Sequence, residues 1–330
     1  MERKGLGTHG PWVSRIGLGC LGMSGGYGSA DEDECVRTVR HALDLGITLL
    51  DTADFYGGGR NEELVGRAVR GRRDEVVIAT RGGVRSANPG GPPTVTDGSA
   101  RALREACHAS LRRLGVDCVD LYYLARVDPA VPVEESVEAL AGLVREGKIR
   151  HVGMSEASAQ QLRRAWEVHP VAALETEYSL WERHVEDGIL DTVRALGVGF
   201  MAHTPLGKGL FAGSVTSPDA LGDRDHRRNH PRFQGDNLRH NLRLADEVGI
   251  IAAELSLTPS QVALAWLLGK GDDIVPIPGT RRRAHLEENV AAASVTLPNE
   301  HRTRLDTLTA RVGVAGERNP AHRRPAPNAV

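Results

Sequence analysis

Apolar positions along this chain fall into short continuous runs, and between them lie stretches whose apolar residues recur at helical spacing. A first apolar run covers 16–20. Residues 31–45 follow with Val36, Val39, Ala42 and Leu43 on one helical face. Asp31, Glu32 and Asp33 put negative charge where a helix N-terminus favours it, and Gly46 ends the segment before a buried strand over 47–50. The alternation then repeats. Helices over 61–70, 99–114, 134–145, 157–168 and 185–196 lead into strands over 76–79, 120–124, 150–154, 172–175 and 199–202. Helices over 237–255 and 260–268 precede a strand over 274–277, and a helix over 281–293 closes the series.

This makes about eight strand–helix units with short, uninterrupted apolar strands, as a parallel sheet covered on its outer face requires. In 330 residues such a count favours a closed (β/α)₈ TIM barrel over an open doubly wound sheet. The open alternative also lacks a G-x-G-x-x-G run after the first strand. Gly and Pro punctuation over 5–15 predicts an N-terminal hairpin. Residues 211–237 are too long for a connector and predict a lid after strand 7. From Gly313 the chain is poor in apolar residues and carries Pro320, Pro325 and Pro327. The expectation is therefore a single barrel domain over 1–312 and a loosely ordered tail over 313–330.

Composition narrows the function classes. A net charge of −2 gives no electrostatic case for nucleic acid or an anionic membrane. No apolar run is long enough to cross a bilayer, and no signal-peptide core opens the chain. Cys20, Cys35, Cys107 and Cys118 lack metal-ligand spacing, so no metal is expected, and reduced thiols in a cytoplasmic protein are the simplest reading. Lysine is confined to Lys4, Lys148, Lys208 and Lys270, while arginine abounds.

The barrel carries a functional expectation, because residues just past strand C-termini converge on one pocket. Those residues are Asp51 and Tyr56, Arg81, Ala125 and Arg126, Ser155 and Glu156, Glu175, His203 and Thr204, and 279–281. Within Asp51-Thr52-Ala53-Asp54-Phe55-Tyr56-Gly57, the phenol is a candidate general acid, since a nearby cation stabilises its phenolate.

Several motifs in order then resemble the aldo/keto reductase family, in its pyridoxal- and perakine-reductase-like branch. They are the Asp51–Gly57 stretch, Gly147-Lys148-Ile149-Arg150-His151-Val152-Gly153-Met154-Ser155-Glu156-Ala157-Ser158, and Glu177-Tyr178-Ser179-Leu180-Trp181. Pro205-Leu206-Gly207-Lys208-Gly209, Pro278-Gly279-Thr280 and Glu287-Glu288-Asn289 complete the set. The resemblance implies reduction of a carbonyl with NADP(H), with Tyr56 as proton donor and Asp51 as a member of its tetrad. It also implies cofactor contacts from Cys20, Leu21, Asp51, Ser155, Glu156, Glu175, His203, Thr204, Pro205, Leu206 and Lys208. Gly279, Arg281, His285, Glu288 and Asn289 match positions that grip the adenosine half, with Arg281 suited to a 2′-phosphate. Phe55, Tyr56, Ala125 and Arg126 match the substrate pocket.

Four positions depart from the family pattern. The family's tetrad Lys is Arg81 and its His is Ala125. Arg81 keeps a positive charge that can pair bidentately with Asp51, whereas a methyl at Ala125 neither donates nor accepts. The family's carboxamide-binding Gln is Glu175, which favours the oxidised, cationic ring, and its stacking Tyr is His203. The expected function is an atypical NADPH-dependent oxidoreductase acting on a small carbonyl or enone in a specialised biosynthetic pathway. The alternatives are a non-redox dehydratase, isomerase or cyclase on the same barrel, or a nucleotide-binding protein without turnover.

Overall fold

The computed structural model describes residues 1–86, 93–223 and 225–320. A hairpin of β1 (Arg3–Gly5) and β2 (Trp12–Ser14) precedes the barrel strands β3 (Leu18–Gly19), β4 (Leu49–Asp51) and β5 (Val77–Gly82). A second hairpin, β6 (Val84–Ser86) and β7 (Pro93–Thr96), interrupts the series. The barrel resumes with β8 (Val119–Leu124), β9 (Ile149–Ser155), β10 (Val171–Glu177), β11 (Gly199–His203) and β12 (Ile274–Pro276). The eight barrel strands pair in parallel in chain order. The ring closes where the Gly17 and Gly19 amides donate to the carbonyls of Pro276 at 2.9 Å and Pro278 at 3.2 Å. The expected (β/α)₈ barrel is therefore the observed architecture.

Helices α1 (Glu32–Asp44), α2 (Arg60–Val69), α3 (Ala100–Leu114), α4 (Val133–Arg145), α5 (Ala159–Trp166) and α6 (Ile189–Ala195) cover the outer face. They are followed by α7 (Gly235–Glu254), α8 (Pro259–Leu268), α9 (Arg283–Ala291), α10 (Asn299–Asp306) and α11 (Leu308–Val312). Asp31, Ser99, Ser158 and Thr258 cap four of these helices by accepting from the first-turn backbone. The helix expected over 185–196 is shorter because Gly188 takes a φ of 80°, which separates a 3₁₀ turn, His184–Glu186, from α6. The second hairpin, α10 and α11 carry no strong period in the sequence and were not expected. No single helix among the described residues is long and apolar enough to cross a membrane.

Alternate residues on the strands point inward. Leu49, Ala79, Leu121, Ala173, Met201 and Val275 form a continuous interior, and Leu6 and Val13 of the first hairpin plug its N-terminal end. Gly153 makes room for the Tyr123 ring, since a Cβ there would lie 2.5 Å from it. The same parity carried toward the strand C-termini brings Asp51, Arg81 and Glu175 into one layer, above the apolar filling.

The long segment after β11 runs through 3₁₀ turns at Gly207–Ala212, Pro218–Ala220, His226–Asn229 and Pro231–Phe233. Phe211 and Phe233 anchor it in edge-on contact with Trp181, at 5.8 and 5.6 Å between ring centroids. Asp225 bridges to Tyr27 in the loop after β3, so the segment reaches across to the first strand–helix unit. Of the tail over 313–330, the described part runs back along α7. Ala315 exchanges hydrogen bonds with the Asn241 side chain, both at 2.9 Å. Residues 321–330 lie outside the described residues.

Candidate active site

Arg81 organises the inner layer. One terminal nitrogen of its guanidinium donates to Asp51, the other donates to Glu175 Oε1 at 2.5 Å, and Nε donates to the Thr52 carbonyl at 3.3 Å. Asp51 and Arg81 are each 3 % exposed and Glu175 is 1 % exposed, so a cation and two carboxylates sit in a dry interior. The expected bidentate pairing with Asp51 alone is not formed. β4 neighbours β5, but β10 lies three strands away, and a long planar fork can span what a compact ammonium cannot. Glu175 Oε2 is buried with no hydrogen-bond partner. The Arg81 guanidinium also lies 5.5 Å from the centroid of the Tyr123 ring and 5.9 Å from that of Tyr56.

These charges decide the protonation of the layer. Burial and then the neighbouring Glu175 push the Asp51 carboxyl well above its usual range, against the pull of Arg81. Burial pushes the Tyr56 phenol up. Arg81 opposes this, while Asp51 and Glu175 reinforce it. The expectation of a phenol acidified by its neighbouring cation is corrected here, because burial, with Asp51 and Glu175 adding to it, outweighs the pull of Arg81. Tyr56 is accordingly a protonated hydrogen-bond donor at neutral pH. Its ring meets Phe55 edge-on at 5.0 Å.

Ala125 directly follows β8 at 1 % exposure, its amide donating to the Gly82 carbonyl at 2.8 Å. Arg126 is exposed and folds back, donating to the Ala125 carbonyl at 2.6 Å and to Ser155 Oγ at 3.2 Å.

A second ionic cluster occupies the ends of β9, β10 and β11. His203 Nε2 meets Glu156 Oε1 at 2.7 Å and Nδ1 meets Thr204 Oγ1 at 2.9 Å. Both ring nitrogens are engaged, which leaves the face of the imidazole for contact with a ligand. Lys208 Nζ lies 3.3 Å from Glu177 Oε1. Arg318, from the tail, donates to Glu156 Oε1 at 2.6 Å and to Glu177 Oε2 at 2.9 Å. Despite burial, His203, Arg318 and Arg126 hold Glu156 well below the usual carboxylate range, and Lys208 and Arg318 bring Glu177 down to about 2. Sequence reasoning left Glu177 and Arg318 out of the site. Inward parity with Glu175 would have found Glu177; no local signal marks Arg318.

The remaining expected positions gather along β3, β12 and the adjoining helix. Cys20 is fully buried and its amide donates to the Asp51 carbonyl at 2.8 Å, whereas Leu21 is 38 % exposed. Gly279 bridges to Gly19. Pro205 is buried, and Leu206 packs on the core. On α9, Asn289 is buried, Glu288 half-buried and His285 exposed. Arg281 is turned to backbone carbonyls, donating to Tyr27 at 3.2 Å, Gly28 at 3.3 Å and Ser29. The first turn of α9 carries no acidic residue and its N-cap makes no side-chain cap, so its amides suit an anion. A groove of about 890 Å³ at the opposite end of the barrel, lined by Arg3, Trp12 and Arg73 among others, contains no residue of this site.

Residues 15–310 match the model of the aldo/keto reductase family. A glycerol dehydrogenase from Gluconobacter oxydans superposes with a TM-score of 0.81 at 30 % identity, over 92 % of this chain and 93 % of that one. An aldo/keto reductase from Klebsiella pneumoniae, in complex with NADP and acetate, gives 0.72 at 27 % identity, over 97 % and 99 %. The holo form of an aldo-keto reductase from Bacillus halodurans gives 0.74 at 27 % identity, over 93 % and 96 %. The chain therefore belongs to the aldo/keto reductase family, a family of oxidoreductases that use NADP(H).

Proposed function

We propose that this protein is an atypical, cytoplasmic member of the family's pyridoxal- and perakine-reductase-like branch, which reduces a small organic carbonyl or enone in a specialised biosynthetic pathway. The observation that carries the reading is Arg81, buried between Asp51 and Glu175 with its guanidinium 5.9 Å from the Tyr56 ring. The chain's own residues fit NADP(H). Glu175 Oε2 is an unpartnered buried acceptor that suits a carboxamide NH₂, and Lys208 and the amides at the start of α9 suit phosphates. His203 offers a flat face held at both nitrogens. When bound, the reduced nicotinamide supplies the hydride.

Tyr56, kept protonated by its burial, donates its proton to the oxygen that accumulates charge. Arg81 cannot give up a proton. Its role is to offset the phenolate left behind, and Asp51 and Glu175 hold it there. At Ala125 the second donor of an ordinary family site is missing, so the substrate or a water must complete the hydrogen bonding.

The test combines Arg81→Lys with Ala125→His and measures NADPH consumption by stopped flow. The double variant should gain reduction of simple aldehydes that the native protein leaves untouched. Tyr56→Phe should lower turnover of the native substrate by about 10²–10⁴-fold. Product formation without any nucleotide turnover would sink the redox reading in favour of a dehydratase, isomerase or cyclase. In that case Tyr56 and Glu175 would have to serve as acid and base.

A further inference from the structure

Among the described residues, three of the four non-glycine residues with positive φ lie in one place: Glu156 at 58°, Thr204 at 55° and Lys208 at 56°. Left-handed backbone at such residues is costly and persists where the surroundings enforce it. Here the surroundings are the cluster joined by Arg318. Its guanidinium bridges Glu156 and Glu177, two carboxylates from neighbouring strands, with Glu182 a further 4.0 Å contact. Glu156 in turn fixes the His203 edge, and Glu177 holds the Lys208 ammonium. The residue that ties these together arrives from the far end of the chain, 162 positions beyond Glu156.

The electrostatic need is plain. Two buried carboxylates beside a site for an anionic dinucleotide would repel it and would be costly to keep ionised. Arg318 offsets that charge with a planar fork that reaches both. Residues 313–320 are in place for this because Asn241 holds Ala315, Arg232 donates to the Gly316 carbonyl at 3.4 Å, and His240 contacts the Gly313 carbonyl at 3.2 Å.

We propose that Arg318 is a positioning residue of the cofactor site: by bridging Glu156 and Glu177 it fixes the plane of His203 and the place of Lys208 for the nicotinamide-bearing half of NADP(H). The inference rests on the cofactor reading given above. Arg318 touches neither the adenosine-half positions on α9 nor Arg281, so its influence is confined to one end of the ligand.

The experiment titrates the full-length protein with NADPH by fluorescence and with 2′-phospho-AMP, which lacks the nicotinamide half, by calorimetry. Arg318→Gln should weaken NADPH about tenfold or more while 2′-phospho-AMP stays within about twofold; Arg318→Lys, which keeps the charge but reaches one carboxylate, should fall between. Unchanged NADPH binding in Arg318→Gln, or an equal loss of both ligands in Arg318→Gln and Arg318→Lys, would overturn the assignment. A wild-type protein that binds no NADPH would overturn the cofactor reading, and this inference with it.

Discussion

Replacing Arg81 with Met tests whether the inner layer works as an ionic unit. The substitution keeps much of the side-chain volume but removes the charge between Asp51 and Glu175, both nearly fully buried. Breaking a buried ion pair by deleting one partner costs about 3–5 kcal/mol. The variant can relieve this only by taking up a proton. Asp51 is already raised above its ordinary value of 3.8, and removing Arg81 raises it further. The folded variant then binds more protons than its unfolded chain from about pH 4 upward to the new folded value. Stability is therefore present at low pH and lost as pH rises through that window, at about 1.4 kcal/mol per unit and per proton. Urea unfolding followed by tryptophan fluorescence should show Arg81→Met about 3–5 kcal/mol less stable than wild type at pH 7. The deficit should shrink on acidification between the Asp51 value of the variant and the lower one of the wild type, below which the two proteins share one slope. Arg81→Lys, which reaches one carboxylate, should lie between. A deficit below about 1 kcal/mol at pH 7, or one that does not change with pH, would show that the carboxylates do not depend on Arg81.

Three further substitutions probe features of the scaffold around this layer. Burial and Glu62 push the Asp54 carboxyl up to about 7, and its Oδ1 is buried with no partner. Because the folded value is raised, wild-type stability should fall between about pH 4 and pH 7. Asp54→Asn should remove that slope in a plot of Tm against pH, and an identical slope in the variant would refute the assignment. Gly7 has φ +71°, and a Cβ there would sit 2.3 Å from the Gly199 amide nitrogen. Gly7→Ala should therefore cost about 2–4 kcal/mol by urea unfolding. Gly58→Ala, at φ +66° with nothing within 4 Å, should cost about 1 kcal/mol; equal losses would mean that the hairpin plug is not tightly packed.

The sequence by itself determined the barrel, because strand and helix periods are local and the turn glycines at 46, 115, 147 and 197 punctuate them. It also determined which residues meet at the mouth, since strand parity and the C-terminal-face rule need no coordinates. Asp51, Arg81 and Glu175 were named as neighbours in this way, as were Glu156 and His203. What only the tertiary structure decided was how these groups spend their charge. Whether Arg81 faces one carboxylate or two depends on distances across the barrel between β5 and β10, which no local pattern encodes. The state of Tyr56 is decided there too, since burial raises its phenol, Asp51 and Glu175 add to the rise, and Arg81 offsets only part of it. Arg318 is the extreme case. Nothing in Gly316-Glu317-Arg318-Asn319 marks a site residue, and its role exists only because this segment passes the ends of β9 and β10.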